Sequence, residues 1–84
     1  MEYSISFSEQ AANFIRKLDK SQRERIFAVL ERIKIRPEDF VEKLVGEPGY
    51  KLRVGDYRLF LDIEQQRLLI FVIEVRHRKN AYKK

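Results

Sequence analysis

The sequence predicts a small α+β domain in which a helical hairpin packs on one face of an antiparallel sheet. Two observations carry this prediction: apolar residues recur at helical spacing in the first half of the chain and alternate with polar residues in the second half. The expected element order is β-α-α-β-β-β. Because 84 residues are enough for one core, residues 1–84 are expected to form a single domain.

The first half of the chain predicts one short strand and two amphipathic helices. Apolar and polar residues alternate over residues 3–7, which is typical of a half-buried strand. Ser8 is the expected N-cap of a first helix that runs to about Leu18. Ser21 has a glutamate three positions later, the spacing of a capping box, so the second helix is expected to begin there. It ends before Pro37, because the residue preceding a proline disfavours the helical conformation.

The second half predicts three strands at about 50–54, 57–63 and 68–75. The last of them is apolar on both faces, as expected of a central strand. Gly55 and Asp56 separate the first two strands. A two-residue loop with glycine first is a type II′ hairpin turn, and this fixes the register of the hairpin.

The net charge of +5 arises entirely in the second half of the chain. Residues 1–49 hold nine basic and nine acidic side chains, whereas residues 50–84 hold nine basic and four acidic ones. A one-sided basic field indicates a nucleic acid, an acidic protein or an anionic membrane surface as the partner. Charge alone leaves these three open.

Composition excludes several kinds of site. The chain has no cysteine and one histidine, so neither disulfides nor a Cys/His zinc site is expected. The longest apolar run, residues 68–73, is far too short to span a bilayer, and the N-terminus does not resemble a secretion signal. We therefore expect a cytoplasmic protein with no membrane partner, metal or cofactor.

Three cations are expected to lie together on the uncovered face of the sheet. The turn pairs Arg53 with Arg58, and alternation places Lys51 on the same face. Like charges directly opposite each other destabilise a hairpin by up to about 1 kcal/mol, which suggests that an anionic ligand is held here. Asp62 is the only carboxylate expected on that face. Phe60 is predicted as an exposed aromatic that can stack on a base, with a covered packing contact as the alternative.

The segment after the last strand, residues 76–84, is predicted as a basic tail whose start lies beside the hairpin. Arg76, His77 and Lys79 are expected to contact RNA or phosphate. Histidine is the side-chain type that exchanges protons near neutral pH, so His77 is also a candidate for proton transfer. Tyr82 can stack on a base, donate a hydrogen bond, or pin the C-terminus to the core.

The residue types that are missing narrow the chemistry further. There is no Ser/His/Asp set, Gly-rich phosphate loop or metal-ligand spacing. An enzyme of this composition has to work with cations, one histidine and tyrosines. This set suits RNA cleavage, because the 2′-hydroxyl of the substrate is the nucleophile and arginines stabilise the charge of the pentacovalent phosphorane.

Three segments carry the most distinctive sequence of the chain. Residues 44–46 read LVG, residues 50–59 read YKLRVGDYRL and residues 75–82 read VRHRKNAY. They resemble the RelE/ParE superfamily of toxins from type II toxin–antitoxin systems, and the element order and length fit that family as well. The RelE branch consists of ribosome-dependent endonucleases that cut mRNA in the A site. The resemblance therefore implies translation inhibition, with an acidic RelB-like antitoxin, the ribosome and mRNA as partners.

The resemblance also implies roles for individual residues. Arg58 would stabilise the transition-state phosphate, Arg78 would assist the leaving group, and Tyr82 would orient the base or stack on it. Arg53 stands where the family often has a lysine proposed as the general base, and arginine is effectively never deprotonated. Proton abstraction would then pass to His77 or Tyr82, or rely on electrostatics alone. The positions that match the catalytic surface of the family are Lys51, Arg53, Arg58, Arg78 and Tyr82.

Two other functions stay open at this point. A ParE-like toxin shares the fold but inhibits DNA gyrase by binding it, and a degenerate member would only bind its antitoxin or RNA. The gap from Arg78 to Tyr82 is shorter than in many bacterial members of the RelE branch, which bears on where the tyrosine lies.

Overall fold

The computed structural model describes residues 1–81 of the chain. Within this part, no helix is long and apolar enough to cross a membrane. The elements in chain order are β1 (Ser4–Phe7), α1 (Glu9–Arg16), α2 (Lys20–Ile33), a 3₁₀ turn (Pro37–Asp39), β2 (Glu42–Lys43), β3 (Tyr50–Val54), β4 (Tyr57–Glu64), β5 (Leu69–His77) and α3 (Arg78–Ala81).

The five strands form one sheet in the order β1-β5-β4-β3-β2. The predicted α+β class is confirmed, but the sheet is mixed because β1 runs parallel to β5 while the other pairs are antiparallel. β5 lies between β1 and β4, the interior position that its apolar sequence predicts, although its Ile73 is 43% exposed. The predicted tail is wrong in its first part, because β5 continues to His77 and α3 follows it.

The N-cap of α1 is confirmed and that of α2 is not. The Ser8 hydroxyl accepts a hydrogen bond from the backbone N–H of Ala11 at 3.1 Å. At the second helix, the Asp19 carboxylate accepts from the N–H of Gln22 at 3.0 Å. Ser21 lies inside the first turn and donates its hydroxyl to Asp19 at 3.2 Å. Asp19 and Ser21 can both cap a helix, and the N-cap of α2 is Asp19.

The core lies between the two long helices and one face of the sheet. Burying a large aliphatic side chain contributes about 1.5–3 kcal/mol, so this layer supplies most of the stability. In the described part of the chain, the long helices leave the opposite face, called here the bare face, uncovered. The buried aliphatic residues are Ala11, Ile15, Ile26, Leu30 and Ile33 from the helices and Leu52, Val54, Leu59, Leu61, Ile70, Val72 and Val75 from the sheet.

A β-bulge in β5 decides which of its residues reach the bare face. The register pairs Leu61 with Val72 but Phe60 with Glu74, which leaves Ile73 as the extra residue. Strict alternation from the buried Val72 would turn Glu74 toward the core. The bulge instead turns Glu74 to the bare face, and Arg76, two positions later, lies on the same face.

Candidate functional site

The hairpin of β3 and β4 has the predicted turn and register. Gly55 has a φ of +58°, whereas Asp56 does not have a positive φ, which is the pattern of a type II′ turn. Arg53 lies opposite Arg58, and Lys51 lies opposite Phe60, as the sequence predicts. The turn therefore sets which cations share a face.

A third arginine extends this pair across the next strand. Arg76 of β5 lies opposite Arg58, so Arg53, Arg58 and Arg76 follow one another on three adjacent strands. We call these three residues the arginine row. Neighbouring strands lie about 4.8 Å apart, so their guanidinium groups create one positive field on the bare face.

The three hairpin cations share the bare face but differ in burial, and Lys51 is half-buried. Arg58 is only 6% exposed, whereas Arg53 is exposed. β4 lies between β3 and β5, so Arg58 has a neighbouring strand on each side. Its Nη1 also donates to the backbone oxygen of Tyr57 at 3.4 Å. The structure thus holds Arg58 in place, while Arg53 reaches into solvent.

Two carboxylates lie beside the cations of the bare face, whereas Asp62 is the one predicted on that face. Glu42 Oε1 is 3.6 Å from Nζ of Lys51. Glu74 Oε2 accepts from Nε of Arg76 at 2.7 Å. The expectation of a face with no acidic partner near the cations is therefore wrong. β2 is too short to show a periodic signal, and the bulge reverses the parity of Glu74.

Phe60 is not the exposed aromatic that the sequence predicts. It is half-buried, and the Cζ atom of Arg76 lies over its ring at 5.7 Å from the centroid. A cation over an aromatic face contributes about 0.5–1 kcal/mol at a surface site. Phe60 therefore acts as the covered packing contact, and it supports the end of the arginine row.

His77 lies on the other side of β5 from the arginine row. It pairs with Tyr57, and the two rings meet edge to face with centroids 5.4 Å apart. Tyr57 in turn packs against Phe14 of α1 at 6.0 Å. The Nδ1 atom of His77 accepts from the backbone N–H of Lys79 at 3.2 Å. The structure does not bring His77 together with the arginines.

The start of α3 is fixed beside the hairpin turn. The backbone N–H of Arg78 donates to the backbone oxygen of Asp56 at 2.5 Å. The side chains of Arg78 and Lys79 are exposed there. Tyr82 lies outside the described residues, so its predicted role stays a prediction.

The far end of the bare face carries an arginine–glutamate pair like the one that Arg76 forms with Glu74. Nε of Arg67 donates to Glu64 Oε1 at 2.6 Å, and this hydrogen bond lowers the pKa of Glu64. Within residues 1–81, no group of three or more His, Asp or Glu side chains could hold a metal ion. The groups of this face that can bind an anion are therefore the cations of the arginine row. Such a row can bind a phosphate and stabilise negative charge that develops on it.

Known proteins share this sequence and architecture. Residues 5–82 match the family model of the ParE toxin of the type II toxin–antitoxin system parDE. The mRNA interferase toxin RelE of Escherichia coli (strain K12) is 33% identical over 84 residues, which cover 96% of this chain and 88% of that protein.

Solved structures agree with these sequence matches. A double arginine mutant of E. coli RelE in the free state is similar with a TM-score of 0.78 at 31% identity, covering 98% of this chain and 88% of that one. RelE in the intact E. coli RelBE toxin–antitoxin complex gives a TM-score of 0.77 at 31% identity, covering 89% of this chain and 95% of that one.

Proposed function

We propose that this chain, which belongs to the ParE toxin family of type II toxin–antitoxin systems, inhibits translation by cutting mRNA in the A site of the ribosome. Within the family it is a RelE-like toxin, and its homologues named mRNA interferase imply an endoribonuclease. The observation that carries the proposal is the arginine row on an uncovered sheet face, with Arg58 held in its middle. Binding to gyrase would not require such a row.

The proposed reaction is an attack of the 2′-oxygen of the mRNA on the adjacent phosphorus. The bond from phosphorus to the 5′-oxygen breaks, which leaves a 2′,3′-cyclic phosphate and a 5′-hydroxyl. Arg58 stabilises the charge of the pentacovalent intermediate, because a buried and prearranged guanidinium needs little reorganisation. Arg78, fixed beside the hairpin turn, donates hydrogen bonds to the departing 5′-oxygen, which takes its proton from water. Arg53, Arg58 and Arg78 supply the positive charge that a bound metal ion supplies in other nucleases. We therefore propose that no metal takes part.

The proton of the 2′-hydroxyl needs an acceptor that the arginine row does not contain. Arg53 is a phosphate clamp, because its guanidinium stays protonated. His77 lies on the helix side of β5, which separates it from Arg58. Tyr82, or water activated by the positive field alone, is therefore favoured over His77 for this step.

A cognate antitoxin is the expected binding partner of this toxin. The intact RelBE toxin–antitoxin complex of E. coli is among the similar structures. An acidic antitoxin would complement the basic half of this chain, whose net charge is +5. The ribosome and mRNA are the proposed targets, and these place the toxin in the cytoplasm.

The proposal is tested with purified toxin and ribosomes programmed with a defined mRNA. We expect a cut within the A-site codon that leaves a 2′,3′-cyclic phosphate end. Arg58→Ala and Arg78→Ala should each lower the cleavage rate by about 100- to 1,000-fold, the usual loss when a group that stabilises the transition state is removed. Arg32→Ala is the matched control, because Arg32 is an exposed arginine on the helix side.

Circular dichroism and thermal melting separate a catalytic loss from unfolding, which matters most for the buried Arg58. Full activity of both arginine variants would contradict the proposed roles. An absence of cleavage on programmed ribosomes, together with inhibition of DNA gyrase, would replace the proposal by the ParE-like function.

A further inference from the structure

A groove at the β2 edge of the bare face contains two side chains, Phe40 and Glu42, that have no role in the reaction proposed above. It encloses ≈ 270 Å³ and is lined by Phe40, Glu42, Lys51 and Arg53. Arg53 also belongs to the arginine row, so the groove opens directly beside Arg58. The two features together form one continuous surface.

We propose that this groove is a nucleotide subsite, in which Phe40 stacks on the base next to the scissile phosphate of the mRNA. The proposal rests on the proposed function in taking mRNA as the ligand. Phe40 is 44% exposed, although it is a large apolar side chain. It follows the 3₁₀ turn, and the cap geometry of that turn fixes its backbone through the bond from Phe40 N–H to the Pro37 oxygen at 3.0 Å.

The cations of the groove fit the sugar–phosphate chain on either side of such a base. Lys51 and Arg53 lie two residues apart on β3 and therefore face the same side of the sheet. Glu42 is two strands away from β4, about 10 Å at the usual strand spacing, which places the groove next to Arg58 and not at a remote surface. Single-stranded nucleic acid is commonly bound by this combination of a basic track with an aromatic stacking platform.

Glu42 gives the subsite a preference among bases. Its side chain is 64% exposed and its Oε1 atom is 3.6 Å from Lys51, so the carboxylate is oriented but still accessible. An ionised carboxylate only accepts hydrogen bonds, and adenine, cytosine and guanine carry an exocyclic amino group that donates them. Uracil carries carbonyl oxygens in place of these amino groups, and its one donor on that edge, N3–H, lies between two carbonyl oxygens that repel a carboxylate. The subsite should therefore disfavour uridine.

The test uses short 2′-O-methyl RNA oligonucleotides, which cannot be cleaved, and purified toxin without ribosomes. Binding is measured by fluorescence anisotropy at low salt. Phe40→Ala should weaken binding by about tenfold, since loss of one stacking aromatic lowers affinity by about 5- to 150-fold. The matched control is Phe27→Ala: Phe27 is also 44% exposed but belongs to α2, and its removal should change binding by less than about twofold. Equal affinities of the two variants would overturn the proposal.

The base preference is tested with oligonucleotides that differ only in uridine or adenosine. The wild-type chain should prefer adenosine by about fivefold, and Glu42→Gln should remove most of this preference, because an amide also donates. Glu31→Gln is the control, since Glu31 is similarly exposed at 69% and is paired with Lys34 at 2.8 Å on the helix side. A preference that persists in Glu42→Gln would contradict the role of the carboxylate.

These experiments separate the subsite from the cleavage activity. If Phe40→Ala loses RNA affinity while the wild-type chain fails to cut on ribosomes, the subsite stands and the nuclease function falls. If the wild-type chain cuts normally and Phe40→Ala binds RNA unchanged, the subsite falls alone. Weakened antitoxin binding with unchanged RNA binding would make the groove a protein interface and would also overturn the proposal.

Discussion

The two faces of the sheet are built from the same strands but differ in almost every physical property. On β3, Leu52 is 3% exposed and faces the helices, while the next residue, Arg53, is exposed on the bare face. On β4, the fully buried Leu59 follows Arg58, which faces the other way. Each strand therefore contributes to the core and to the site with alternate residues.

The core stabilises a sheet whose other face is unfavourable by itself. Arg58 lies directly opposite Arg53 on one side and Arg76 on the other. Each like-charged cross-strand pair costs up to about 1 kcal/mol. Burial of a single leucine in the core is large enough to offset one such pair. A substitution on the core face of a strand should thus lower the free energy of unfolding. A substitution of the next residue, on the bare face, should lower the cleavage rate.

Leu52→Ala and Arg53→Ala test this division on adjacent residues of one strand. Leu52→Ala should lower the free energy of unfolding by about 2–5 kcal/mol, because it leaves a cavity in the core. Arg53→Ala should leave it within about 0.5 kcal/mol of wild type, since it removes an exposed side chain from a like-charged pair. Urea denaturation measures both values, and ribosome-programmed cleavage measures activity at a temperature where both variants are folded.

The activity of the same two variants should show the reverse order. Arg53→Ala should cut more slowly, and folded Leu52→Ala should cut like wild type. If Arg53→Ala instead unfolds as readily as Leu52→Ala, the bare face also carries stability and the division between the faces is wrong.

Gly55 links the two faces, because its turn sets the register of the hairpin. Its φ of +58° is unfavourable for other residues, so Gly55→Ala should cost about 1–2 kcal/mol of unfolding free energy. A Cβ at this position would also lie 3.2 Å from the guanidinium group of Arg25, a flexible side chain that can move. Thermal melting and cleavage rates are the measurements, and both should fall.

Gly46→Ala is the control for backbone strain without the hairpin. Gly46 has a φ of +81°, and a Cβ there would meet no atom within 4 Å. It should lose a similar amount of stability but retain the cleavage rate. Equal losses of activity in the two variants would show that the hairpin register is not what matters.

The hairpin could be predicted from sequence because its signals are local. A two-residue turn with glycine first and clean alternation on both sides determine that Arg53 lies opposite Arg58. The position of Glu74 could not be predicted in this way, because the bulge at Ile73 shifts the alternation and has no signal of its own in the sequence.

Two other features of the site depend on which strands become neighbours. The burial of Arg58 follows from β5 lying next to β4, which alternation within β4 does not reveal. Glu42 belongs to a two-residue strand, too short for any periodicity, and only pairing with β3 brings it to Lys51. Sequence patterns thus predict which cations belong to the site. The pairing of distant strands determines which carboxylates lie beside them and where the groove forms.

The start of α2, on the helix-covered side, is where the capping-box prediction at Ser21 is wrong. Asp19→Ala should lower the free energy of unfolding by about 1 kcal/mol, because the N–H of Gln22 loses its acceptor at 3.0 Å. Ser21→Ala should cost less than about 0.5 kcal/mol, because Ser21 lies within the first turn and caps no backbone N–H. Urea denaturation of the two variants decides between the caps. A larger loss in Ser21→Ala would restore the capping box as the start of the helix, and neither variant should change the cleavage rate, since both lie away from the bare face.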